Sequence, residues 1–355
     1  MAKILIKNGR VFDGESFFFA DVLTNGNKIE KIEKGICDKA NFVFDAEGKT
    51  VMPGLVDMHV HMLLHPTDQY GIQTEMSCFP FGVTAAADAG RTRGDRAIFD
   101  SFAVKNLVFV SAHIKENRID FENLCAAIDR FGDKVVGLKI YFDSTLSDAR
   151  DITPLAELCD FAKSRKLPVM VHCSNSPTPM ADILATLNPG DILTHAFHGK
   201  INTAADDGFE SMKAAKARGI IIDGGFAGNN HANFAVLKGA IESGVLPNSI
   251  STDITKFSAY TRGGRYGMTM CMSIAKHLGM DEIDIFKAVT SSPAKALGKG
   301  DEWGNLKVGG TADIAVIDYT DEGYSLTDED GNHIESKSGY RCILTVADGQ
   351  TVYRH

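Results

Sequence analysis

The chain has 355 residues, 44% hydrophobic and 23% charged, with a net charge of −9; this excludes a disordered or fibrous protein. The acidic balance gives no support to nucleic acid or an anionic membrane as a partner, and no apolar run is long enough to span a bilayer. Seven scattered cysteines without a C-x-x-C pair fit a reducing compartment better than a disulfide framework. With no apolar h-region at the N-terminus, the expectation is a soluble, cytoplasmic protein.

The first fifty residues predict short strands ("KILIKNGRVFDG", "ADVLTNGNKIEKIEKG", "NFVFDAEGKTV"), with tight turns expected at Asn8-Gly9, Asn25-Gly26 and Glu47-Gly48. The last fifty return to that texture in "ADIAVIDY" and "GYRCILTVADGQTVYRH", with Asp348-Gly349 as a further turn. A lone terminal hairpin set would be marginal, so both ends are expected to build one small β-sandwich domain, residues 1–52 plus 303–355. Residues 53–302 alternate. Apolar runs at 54–61, 82–90, 107–114, 135–142, 168–173, 191–197, 219–225 and 249–254 are separated by helix-like segments such as "DFENLCAAIDRFG" and "ITPLAELCDFAKSRK". Eight strands alternating with helices predict an α/β fold, a (β/α)8 TIM-like barrel. An open doubly wound sheet would carry a glycine-rich phosphate loop after its first strand, and "HVHMLLHP" is nothing like one.

Active sites of such barrels form at the C-terminal ends of the strands, and these runs end in ligand-type side chains. Run one carries His59 and His61, run four Lys139, run five His172, run six His195 and run eight Asp253. Residues two apart on a strand share a face, so His59 and His61 can share one ion. Imidazole nitrogen and carboxylate oxygen suit Zn²⁺ and related divalent ions. Any one of these residues has a structural explanation: a histidine bonded in the core, an aspartate capping a helix, a lysine snorkelling to solvent. Together, five of eight run ends favour a site. Burial would lower the Lys139 pKa, and a neutral amine there can take up CO2 as an anionic, two-oxygen carbamate.

The segments "PGLVDMHVH", Lys139 on run four, "VHCSN", "THAFHGK" and "STDI" resemble the metal-dependent amidohydrolase superfamily, over essentially the whole chain. The resemblance implies that His59 and His61 bind the more buried of two divalent ions, zinc foremost, and that carboxylated Lys139 bridges the two. His172 and His195 would bind the second ion, while Asp253 touches the first and handles the proton of the attacking water. A lysine on run four implies the two-metal hydrolases. Dihydroorotases usually show H-x-H-x-R, whereas Met62 and Leu63 follow here. "DILTHAFHGK" and "VLPNSISTDIT" look closest to deacetylase-like members, loosely labelled dihydroorotase or adenine deaminase, that act on N-acetyl-D-amino acids or acetylated hydroxy acids.

The expected function is therefore hydrolysis of an amide, or an ester, in a small acylated carboxylic acid. The rivals are a cyclic amide hydrolase of dihydroorotase or hydantoinase type and, from another class, a non-catalytic barrel scaffold. Arg262 and Arg265, in "YTRGGRYG", are candidate clamps for a substrate carboxylate, with Arg91 and Arg93 behind them. Asn175 and Thr194 are expected to orient the metal ligands, and Asn175 is a further candidate for substrate binding. His65, His113, His198 and His231 are candidates for a supporting layer; His277, His333 and His355 are expected at the surface, and Cys173 in the packing. A homo-oligomer is compatible with the sequence.

Overall fold

The computed structural model describes residues 2–64, 67–228, 230–261 and 263–355. Among them, seven parallel strands form one curled sheet in chain order: Leu55–Val60, Val83–Arg91, Lys105–Ala112, Val135–Tyr141, Val169–His172, Ile192–Thr194 and Ile221–Ile222. The first is buried along its whole length, as a strand covered on both faces must be. The eighth run departs from expectation, because it forms no regular strand. It closes the ring through isolated parallel bridges, Asp223 to Ser249 and Val60 to Ile254. Backbone bonds from Asp253 N to His59 O (2.7 Å) and from His61 N to Ile254 O (3.1 Å) complete the seam. Asp253 has φ +47°, a left-handed conformation that interrupts any extended ladder.

The helices lie where the periodicity puts them. Phe121–Phe131 starts at Asp120, whose carboxylate accepts the Asn123 amide, and it buries Leu124, Ala127 and Phe131. Thr153–Arg165 has a proline in its first turn and buries Leu155, Leu158, Cys159 and Ala162, a stripe at helical spacing. No described helix is long and apolar enough to cross a membrane.

The chain ends assemble into one eight-stranded sheet, which interleaves Ile4–Phe12, Phe17–Asn25, Lys28–Glu33, Phe42–Asp45 and Thr50–Pro53 with Ile314–Thr320, Gly339–Ala347 and Gln350–Arg354. Its core draws Ile6, Val11, Val22 and Val51 from one end and Ile314, Val316, Leu344 and Val346 from the other. Asn25-Gly26 and Asp348-Gly349 join neighbouring antiparallel strands as expected. Asn8-Gly9 does not make a turn. It is a bulge inside Ile4–Phe12, with Asn8 at φ +54°, and a Cβ on Gly9 would lie 2.5 Å from the Val51 side chain.

Close packing around the fourth barrel strand yields a test. A Cβ on Gly137 would lie 2.6 Å from the Phe109 ring and 2.8 Å from the Pro168 carbonyl oxygen. Gly137→Ala is expected to destabilise the barrel by about 1–3 kcal/mol, the usual cost of overpacking. The thermal midpoint should fall by several degrees, and an unchanged midpoint would contradict this packing.

Candidate metal centre

The six candidate ligands converge at the C-terminal end of the barrel. His59 and His61 lie at the end of the first strand, Lys139 in the fourth, and His172 ends the fifth. His195 follows the sixth strand, and Asp253 lies in the eighth run. Lys139 is 0% exposed and none of the six exceeds the 4% of His61. His195, Asp253, Asn175 and Ala227 all have left-handed φ values, between +47° and +60°. Such conformations cost about 1–3 kcal/mol each and persist where the surroundings over-determine them. Here they turn the chain at the strand ends and aim side chains inward.

The ligand atoms fall into two groups, His59 with His61 and Asp253, and His172 with His195 and His231, each within 4.8 Å of one another. Asp253 joins them. Its Oδ1 lies 2.7 Å from His61 Nε2 and 3.2 Å from His59 Nε2, and its Oδ2 lies 3.9 Å from His195 Nε2. Lys139 Nζ is 3.2 Å from His59 Nε2. Yet Asp253 Oδ1 and His172 Nε2 are buried without a hydrogen bond. Orphaned lone pairs of this kind are costly to bury, and a divalent ion satisfies them directly.

The electrostatics agree with such an ion. Burial drives the His195 imidazole far below its usual value, reinforced by His231 and His172, and burial also lowers His172. Burial would raise the Asp253 carboxyl, but His59 and His61 outweigh it and hold it well below the usual range. Lys139 is pushed by burial down to about 8, against the opposing pull of Asp253 and Asp223. His172 and His195 are thus held as the neutral imidazoles, and Asp253 as the ionised carboxylate, that metal binding requires, whereas His59 is raised, against burial and Lys139, by Asp253 and Asp223.

A supporting layer fixes which nitrogen faces inward. Thr194 Oγ1 donates to Asp223 Oδ2 at 2.7 Å and sits 2.8 Å from His59 Nδ1. A hydroxyl has one proton, so Thr194 must accept from Nδ1–H, which leaves the His59 Nε2 lone pair toward the cluster. Ser251 Oγ donates to the same Asp223 oxygen at 2.7 Å. His195 Nδ1 donates to the Gly225 carbonyl at 2.6 Å, with the same consequence for its Nε2. Asp143 lies 3.4 Å from His172 Nε2 and accepts from Thr145 and from Asn175 Nδ2. Asn175 therefore braces Asp143.

Sequence reasoning missed Asp223 and Asp143. Asp223 was legible by the rule used for the others, since "GIIIDGG" is an apolar run ending in an acid; His231 lies in a loop and obeys no periodicity. Arg265 is not brought to the histidines. It donates to the Gly323 carbonyl at 3.2 Å and lies over the Tyr324 ring, which turns it toward the terminal domain. Arg262 and His65 lie outside the described residues. Arg91 is a brace for the segment after the first strand, donating to Asp88 and the Met62 carbonyl and pairing with Asp68, while Arg93 is exposed. His113 is exposed and bonds Thr92, and His198 is buried and accepts the Lys200 amide. The Cys173 thiol is buried against the Thr194 carbonyl.

Removing Asp223 tests this layer. Asp223→Ala leaves the Thr194 and Ser251 hydroxyls without their acceptor and frees His59 to rotate. Loss of such a partner typically costs about 10- to 100-fold in metal affinity, measurable by competition with a chelator. Unaltered affinity would show that the Asp223 network does not orient His59.

The amidohydrolase family model matches residues 50–352. A deacetylase of Enterococcus faecalis is 29% identical over 372 residues, covering 98% of each chain. The crystal structure of a dihydroorotase superposes with a TM-score of 0.88 at 26% identity, over 100% of this chain and 98% of that one. An adenine deaminase does so with a TM-score of 0.87 at 25% identity, over 100% of both. With histidines and carboxylates gathered at the barrel mouth, this chain is a hydrolase of carbon–nitrogen bonds and belongs to the amidohydrolase family.

Proposed function

We propose that the chain is a two-ion hydrolase that cleaves the amide, or ester, bond of a small acylated carboxylic acid such as an N-acetyl-amino acid or an acetylated hydroxy acid. The observation that carries this reading is the pair of ligand groups joined through Asp253, with Lys139 buried beside His59. His59, His61 and Asp253 would hold one divalent ion, and His172 and His195 the other. A carbamate on Lys139 would add the anionic oxygens that the second group lacks. Zinc suits this nitrogen and oxygen donor set. Bound ions would polarise the scissile carbonyl and lower the pKa of the attacking water.

The chain's own contribution is positional and acid–base. Thr194 and Asp223 hold the His59 ring, and Gly225 holds His195. Asp253 is kept ionised by its histidines, so it can accept the proton of the attacking water. As the new C–O bond forms and the C–N bond breaks, that proton passes from Asp253 to the leaving nitrogen. Burial of all six ligand side chains suits a small-molecule substrate, and seven free cysteines among the described residues agree with a reducing cytoplasm.

The deacetylase relative, similar over nearly its whole length, favours an acetylated acyclic substrate. The dihydroorotase likeness supports ring opening as a second reading. Against it stands the position after His61, where Met62 gives its amide to Asp88 and no arginine follows to take a substrate carboxylate.

Two experiments bear on this reading. Zinc-reconstituted protein should hydrolyse members of a panel of N-acetyl-D- and L-amino acids and acetylated hydroxy acids. Turnover confined to cyclic ureides would replace the proposal with the ring-opening one. Asp253→Asn should keep most of its metal while turnover falls about 10²-fold or more, the scale of a general acid–base contribution. Metal and turnover falling together would make Asp253 chiefly a ligand.

A further inference from the structure

One more imidazole faces the second group than the proposed ligand set uses. His231 follows the seventh strand, and its ring centroid lies 4.2 Å from that of His195 and 5.0 Å from that of His172. The ligand atoms of the three lie within 4.8 Å of one another. Nδ1 of His231 is 3.0 Å from Ser174 Oγ, which leaves Nε2 for the shared space.

The segment that carries His231 is pinned from outside the barrel. Two short strands, Ser325–Thr327 and His333–Glu335, form a hairpin inserted between two strands of the terminal sheet. Its turn reaches the residues that directly follow His231. The Glu329 amide donates to the Ala232 carbonyl at 3.0 Å, Asn233 Nδ2 donates to Asp330 Oδ2 at 2.8 Å, and the Phe234 amide donates to Asp328 Oδ2 at 3.1 Å. The Asn233 amide also donates to the Phe197 carbonyl at 3.0 Å. Glu329 accepts the Gly199 amide, just beyond His195 and His198. These bonds fix the backbone that directly follows His231, and ligand sites need such support.

The two groups also differ in composition. The first contains a carboxylate among its ligand atoms; the second is all imidazole, with Asp143 Oδ2 3.4 Å from His172 Nε2 and Asp253 Oδ2 3.9 Å from His195 Nε2. Three protein donors with an open fourth position are the pattern of catalytic zinc sites, and His231 completes three nitrogens.

We infer that His231 is the third nitrogen ligand of the ion held by His172 and His195, on a segment fixed by the hairpin at 325–335. The inference rests on the two-ion reading and extends it, because the second ion would then have a third ligand that does not require a carbamate on Lys139.

Anomalous diffraction from crystals of the zinc-loaded wild-type chain tests this without any substitution. The expected result is an ion about 2.0–2.1 Å from a His231 nitrogen, the usual Zn–N distance. An ion on His172 and His195 but more than about 3 Å from His231 would overturn the inference and leave the two-ion reading standing. No ion at His172 and His195 would overturn both. A second measurement follows chelator-driven release of the two zinc ions from the zinc-loaded His231→Ala chain. One ion should leave at a chelator concentration at least about tenfold lower than in the wild type, since even supporting residues change affinity by 10- to 100-fold. The other ion should leave as before. Identical release of both ions from variant and wild type would refute the ligation.

Discussion

A carboxylate buried in an apolar strand must find donors or carry a cost of several kcal/mol. Asp57 finds them across the barrel seam. It accepts from the Thr252 amide at 3.1 Å, the Thr252 hydroxyl at 2.6 Å and the His59 amide at 3.3 Å. These bonds dock the eighth run onto the first strand where regular pairing has failed. They set the register in which the Asp253 amide meets the His59 carbonyl and its carboxylate comes to lie 2.7 Å from His61 Nε2. Tyr266 secures the run from behind, donating to the Thr252 carbonyl at 2.6 Å. The bonds that close the barrel are also those that place Asp253 in the site.

The same logic recurs around the mouth. Asp88 on the second strand receives the Met62 amide and Arg91, and so holds the segment that follows His61. Asp143, just past the fourth strand, sits beside His172. Asp223, just past the seventh, orients His59 through Thr194. Acids beneath the histidines therefore fix the backbone and, at His59, the ring nitrogen that faces inward, and among these described acids Asp253 is the one that reaches both ligand groups. The terminal sheet takes part as well, because its hairpin fixes the chain immediately after His231.

Much of this was legible because strand ends are marked by a change from apolar to chemically active residues. His59, His61, His172, His195 and Asp253 stand at or near the ends of their runs, while Lys139 lies inside the fourth, and the structure gathers all six at one end. The eighth strand was legible as an apolar run but not as an irregular one, since nothing in "SISTDI" announces a left-handed φ at Asp253. Loop residues were harder. Arg265 lies three residues before the helix Met268–His277 and turns to Tyr324 in the terminal domain, a contact across a separation that periodicity does not encode. Asn8-Gly9 carried a turn signature yet forms a bulge, because the strand continues past it to pair with 50–51. His231 was visible as a residue, but its partners arrive from three separate segments.

The central claim is that catalysis requires both ligand groups to be filled. The direct measurement is to titrate metal-free protein with zinc while recording bound metal by elemental analysis and turnover of an acetylated substrate. The account predicts saturation near two ions per chain, with most of the turnover arriving with the second. Full turnover with binding saturated near one ion would contradict it.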